Sequence, residues 1–350
     1  MHLPFTRDDA AADFGPAPEL LVFDDGTPVR TPDDWSRRRV EVYEKIIVGE
    51  YGGMPPVPPP GATSPEVVST AAAGRRCGID GSEVAALAIA VDGGAEPLRF
   101  AATLWTPPGD GPFPVVVNGD GCWSYLTDAV VADVLRHGFA LVSFNRCEIA
   151  RDRKGARDRG IYRAFPGGYG ALSAWAWGYH RVLDALAAFP RVDASRAMVT
   201  GHSRGGKTVE LAGATDERIA MVADNNSGCG GFGCFRVRGK GAETIGDITG
   251  NFPFWFAEGF GGYAGREAEL PFDQHFLAAL VAPRVLRMQV AFGDTWSNPV
   301  GACETYRLAR PVYDLLGAGG NFQIVFREGG HGHEPEDWAH SLDAAALAGL

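Results

Sequence analysis

The chain has no run of about 18 uninterrupted apolar residues, the length a membrane-spanning helix needs. It has no excess of basic charge: formal net charge is −11, which argues against nucleic acid and against anionic membrane surfaces as partners. It has no C-x-x-C among its six cysteines, Cys77, Cys122, Cys147, Cys229, Cys234 and Cys303, so their spacing suits no zinc site. The first residues, Met1 to Phe14, lack the basic and apolar regions of a secretory leader. The protein is therefore cytoplasmic as written, or secreted or periplasmic if a leader has been removed. There is no internal repeat and no linker long enough to divide the chain. What remains is ordinary for a globular domain: 350 residues, 45% hydrophobic and 21% charged.

Residues 1 to 34, rich in Asp, Ala and Pro, read as an extended, partly ordered arm, and Trp35 to Val48 has helical spacing. Gly52 to Gly61 carries five prolines and reads as a stiff connector. Apolar runs then predict strands at Val84–Val91, Leu98–Thr106, Phe113–Val117, Phe139–Phe144, Ala197–Thr200, Ala220–Ala223, Val285–Phe292 and Phe322–Phe326. Helices are predicted at Ala129–Arg136, Ala171–Phe189 and Cys303–Leu316, with another opening near Lys207. Arg151 to Gly160 reads as a polar loop of mixed charge. Strands alternating with helices imply an α/β fold, a mostly parallel sheet with helices on both faces and an antiparallel pair at its start. The expected organisation is an N-terminal extension, 1–60, and one catalytic domain, 61–350. Within it 227–270 is an irregular insertion, long enough to suggest a functional role.

Gly201-His202-Ser203-Arg204-Gly205 is the most informative segment. It fits G-x-S-x-G between a short buried strand and a helix start, the context in which that pattern marks a nucleophile elbow. Small residues must flank the serine because the turn is sharp, and Gly206 lets the helix approach the sheet. A serine nucleophile needs a base and an acid, arriving in this architecture in the order Ser, Asp or Glu, His, each after a strand. His331 follows the strand Phe322–Phe326. Asp294 follows Val285–Phe292 and is the first choice of acid; Asp224, after the strand Ala220–Ala223, is the alternative. The pair His331 and His333 has no evident third ligand, so no metal and no cofactor is expected. Oxyanion donors are expected from the Arg204 N–H, the Arg204 guanidinium and the loop Asn118–Trp123.

The region from Gly170 to His331 resembles the glucuronoyl esterases, carbohydrate esterase family 15, in their bacterial form. The resemblance is carried by Ala174-Trp175-Ala176-Trp177-Gly178, by Gly201-His202-Ser203-Arg204-Gly205-Gly206-Lys207, and by Asn226-Ser227-Gly228. Pro253-Phe254-Trp255-Phe256, Asp294-Thr295-Trp296 and Gly329-Gly330-His331 continue it. It implies an α/β-hydrolase fold and cleavage of esters of 4-O-methyl-glucuronic acid, as in links between xylan and lignin alcohols. It makes Ser203 the nucleophile, His331 the base and Arg204 an oxyanion donor. Lys207, Trp296 and, near a sugar-binding glutamine of the family, Glu243 become contacts to a carbohydrate substrate. Fungal members carry their acid where this chain has Asn226, which again favours Asp294. Cys234 and Cys303 match the ends of a family disulfide. Two rival readings stand beside this one: an acetyl or other carbohydrate esterase, and a catalytically silent carbohydrate-binding relative.

Overall fold

Among the described residues of the computed structural model, 2–123 and 126–350, nine strands form one sheet. They are β2 (Thr63–Ala72), β3 (Glu83–Val91), β4 (Leu98–Thr106), β5 (Phe113–Asn118), β6 (Ala140–Phe144), β7 (Val192–His202), β8 (Ile219–Asn225), β10 (Val285–Ala291) and β11 (Phe322–Arg327). Across the sheet the order is β2-β3-β4-β6-β5-β7-β8-β10-β11. β2, β3, β4 and β6 pair antiparallel, and everything from β6 to β11 runs parallel. This is the α/β-hydrolase arrangement. A separate two-stranded pair joins β1 (Ala12–Asp13) to β9 (Val237–Arg238).

The middles of the central strands, Val115–Val117, Ala197–Val199 and Ile219–Ala223, are continuously apolar because both faces are covered. Val115, Val117, Ala197, Val199 and Val222 point into one core, while Val116, Met198, Met221 and Ala223 point into the other. The first core lies under the helices Ala171–Leu186, Arg204–Thr215, His275–Val281 and Pro299–Leu315; the second lies under Asp128–Arg136 and Pro335–Leu347. Helix starts follow local chemistry: Thr31 accepts from Asp34 N, with Asp34 reaching back, and Pro32 takes the first position.

The predicted strands and helices are present, most with longer ends, and four parts differ. The N-terminal arm is anchored, since β1 pairs with β9 and Arg7 forms an ion pair with Glu304 at 3.4 Å. β2 was not anticipated: as an edge strand with most residues exposed, TSPEVVSTAA needs no apolar alternation. The helices His275–Val281 and Pro335–Leu347 were also unforeseen, the first because it is apolar all round and shows no stripe. The insertion 227–270 holds β9, the helix Ile245–Asn251 and three 3-10 turns.

Leu211 is fully buried on the helix that follows Ser203. Leu211→Ala should cost about 2–5 kcal/mol, read as a lower urea midpoint at unchanged slope.

Candidate active site

The carboxyl ends of β5, β7, β10 and β11 deliver the candidate residues to one edge of the sheet. Ser203 sits between β7 and its helix at φ 57° and ψ −117°, a strained conformation for a non-glycine residue and one that structures keep at functional sites. The turn is fixed by Ser203 N–H donating to Asn225 O at 2.9 Å and by Lys207 N–H donating to Ser203 O at 3.0 Å. A Cβ at Gly201 would lie 2.4 Å from Gly205 O, and one at Gly205 would lie 2.2 Å from the Asp120 carboxylate. Both glycines are therefore demanded by close approach. Asp120 is itself buried, paired with Arg146, and accepts His202 N–H at 2.9 Å.

Beyond β10 and β11, Asp294 and His331 meet. His331 Nδ1 and Asp294 Oδ2 are 2.6 Å apart. Asp294 is buried, whereas His331 is partly open to solvent. Burial alone would raise the Asp294 pKa, but hydrogen bonds from His331 and Ser297 hold it below its ordinary value. Asp224 goes elsewhere. It lies beneath the Ser203 helix, where Ser227 Oγ donates to it and Glu210 shares its hydrogen bonding. Of the two carboxylates expected from sequence, Asp294 alone reaches His331. Asn226 is held by Ala291 N–H and Gly332 O.

Arg204 Nη1 is paired with Asp152, and its guanidinium carbon lies 5.5, 5.1 and 4.8 Å from the ring centres of Trp123, Phe252 and Trp255. Lys207 is buried, donates to Ser227 O, and acts electrostatically on Glu50, Asp224 and Glu243. Burial raises the Glu243 pKa and Lys207 opposes the shift. Glu243 N–H donates to Trp296 O at 3.0 Å, so these two candidates are adjacent, and Trp296 is 48% exposed.

The loop after β5 turns four of its amides into the fold. Gly119 N–H donates to Tyr179 Oη, Asp120 N–H to Asn118 Oδ1, Gly121 N–H to Phe144 O and Trp123 N–H to Asp120 O. These four amides are engaged within the fold and are not available to an oxyanion. The disulfide that the resemblance implied is not formed in this structure: Cys234 and Cys303 are free, with Cys234 Sγ turned to Asp273 Oδ2 at 3.4 Å. Asp152 was not singled out from sequence because it lies in a run dense in arginine that reads as a solvated loop. Nothing in that run alone marks it.

A family model described as "Glucuronyl esterase, fungi" matches residues 89–317. The chain is also 30% identical over 348 residues to the 4-O-methyl-glucuronoyl methylesterase of Schizophyllum commune, covering 95% of this chain and 80% of that protein. The chain belongs to the glucuronoyl esterase family. Solved glucuronoyl esterase structures agree. That from Solibacter usitatus superposes with a TM-score of 0.83 at 28% identity, covering 96% of this chain and 98% of the other. The family 15 enzyme from Caldicellulosiruptor kristjansonii gives 0.79 at 29%, with 96% and 91% covered. The resemblance carried by the elbow and the downstream motifs thus extends over nearly the whole chain.

This esterase also buries titratable groups of opposite pH behaviour. Burial pushes His180, His202 and His275 down to about 4 and His333 well below 6.5. It pushes Glu50 up to about 8 and Asp224 to about 7. The unfolded chain binds more protons at the histidines between about pH 4 and 6.5, so their contribution to stability rises with pH there. The folded chain binds more at Glu50 between its ordinary 4.5 and about 8, so that contribution falls as pH rises. Glu50→Gln keeps an acceptor for Gln274 Nε2, which bonds both Glu50 oxygens at 3.0 and 2.8 Å. It should flatten the decline in melting temperature from about pH 6.5 to 8. An unchanged decline would mean that Glu50 does not titrate in that window.

Proposed function

We propose that this glucuronoyl esterase hydrolyses esters of (4-O-methyl-)glucuronic acid on carbohydrate through a Ser203–His331–Asp294 acyl-enzyme. The observation that carries the residue assignment is the 2.6 Å contact between His331 Nδ1 and buried Asp294, beyond the same sheet edge as the strained Ser203 turn. Asp294 fixes the tautomer that leaves Nε2 as the base. His331 takes the Ser203 proton as Oγ attacks the ester carbonyl. The tetrahedral oxyanion is stabilised by the Arg204 N–H, which sits at the first helical position and has no intrahelical acceptor, and by the Arg204 guanidinium. His331 returns the proton to the departing alcohol. Water, activated in the same way, then releases the free uronic acid and Ser203. No metal or cofactor enters this scheme.

Lys207 and Glu243 suit the hydroxyls of the sugar, since a buried ion and carboxyl penalise a ligand that leaves them unpaired. The exposed face of Trp296 suits the apolar face of the ring. Hydrolysis of benzyl glucuronate should exceed that of 4-nitrophenyl acetate and vanish in Ser203→Ala. Preference for the acetate would move the activity to another acyl group; binding without turnover would leave a silent relative. Asp294→Asn should lower kcat by about 10³–10⁴-fold by removing the charge that steadies the imidazolium. Asp224→Asn should retain most activity. The reverse pattern in the two variants would reassign the acid.

A further inference from the structure

We infer that Asp152 is a positioning residue that holds the Arg204 guanidinium as a preorganised oxyanion donor, an inference that rests on the role proposed above for Arg204. Four amides of the loop after β5 are occupied inside the fold. The mechanism proposed above adds a flexible side chain, the Arg204 guanidinium, to the Arg204 N–H. A donor that must first be ordered loses much of its advantage, because stabilisation of developing charge depends on dipoles already in place. An arginine has several rotatable bonds and needs an external constraint.

Asp152 supplies that constraint with both oxygens. Oδ2 accepts from Arg204 Nη1, and Oδ1 accepts from Trp255 Nε1 at 2.8 Å. Trp255 is buried and stacks on Phe252 with ring centres 4.0 Å apart and planes 7° apart. It also lies edge-on to buried Trp175 at 5.9 Å. The carboxylate is thus tied to a rigid aromatic wall over which the guanidinium carbon also lies. Among the described residues, Asp152 is the one hydrogen-bond partner of this guanidinium. The pairing at Nη1 and the rings of Trp123, Phe252 and Trp255 together hold the guanidinium while leaving Nη2 for a substrate oxygen. A bidentate clamp would consume both ends of the fork.

The test is a double-mutant cycle with Asp152→Asn and Arg204→Met, followed on benzyl glucuronate with kcat and KM separated and melting temperatures recorded. Asp152→Asn keeps the shape and an acceptor for Trp255 but loses the charge. It should lower kcat about 10- to 100-fold with KM changed less than about twofold. In the Arg204→Met background the same change should alter kcat by less than about twofold. Equal losses in both backgrounds would place Asp152 in the fold and not in positioning, and an unchanged or increased kcat in Asp152→Asn would also overturn the inference. An Arg204→Met enzyme with full kcat would instead overturn the role of Arg204 on which it rests. Should Asp152→Asn fail to fold, Trp255→Phe removes the second anchor while keeping a ring, and its loss of kcat should likewise disappear without Arg204.

Discussion

The buried ion pair of Asp120 and Arg146 is the interaction on which the site depends. Asp120 accepts His202 N–H beside the nucleophile, lies against Gly205, and neutralises Arg146, whose guanidinium carbon is 4.6 Å from the Trp123 ring centre and 5.2 Å from that of Trp175. One carboxylate thereby couples the loop after β5, the end of β7 and the helix Ala171–Leu186. Two charges removed from water are tolerated only because each has partners, and losing one member of such a pair costs about 3–5 kcal/mol. Four amides of that loop are engaged nearby by Tyr179 Oη, Asn118 Oδ1, Phe144 O and Asp120 O. The loop supports the elbow, and its Trp123 ring also lies under the Arg204 guanidinium.

A second buried assembly lies beneath the helix that follows Ser203. Lys207, Asp224, Glu210 and Ser227 pack together there, with Glu50 and Gln274 behind them. Gly206 makes room, since a Cβ on it would come 2.2 Å from Asp224 Oδ1. Asp224 thus has a definite place as the deep partner in a carboxyl pair. Burial raises the pKa of both Asp224 and Glu210, so the pair favours the protonated form and does not leave two bare charges in the core.

Much of the fold was legible because parallel strands buried on both faces are continuous apolar runs. The runs at Val115–Val117, Ala197–Val199 and Ile219–Ala223 could be little else. β2 escaped because an edge strand carries no such signature, and His275–Val281 escaped because a helix buried all round looks like a strand. In the site, Ser203, Arg204 and Lys207 lie in one motif, and Asp294 and His331 each follow a strand closely. Asp152 is far from Arg204 in sequence and lies in a loop whose composition suggests only solvent. The engagement of the loop amides was equally invisible, because it depends on where Tyr179 Oη and Phe144 O arrive.

By itself, then, the sequence determined the elbow, the strand–helix alternation and the short set of side chains able to act. Those are properties of neighbouring residues: glycine beside serine, an apolar run before it, an acid or histidine after a strand. Only the tertiary structure brought Asp294 and not Asp224 to His331, left Cys234 and Cys303 as free thiols, and set Asp152 against Arg204. Each of these is a question of which of several eligible groups comes within hydrogen-bonding reach. That reach is decided by how distant strands and loops converge at one edge of the sheet, which no local pattern of residues encodes.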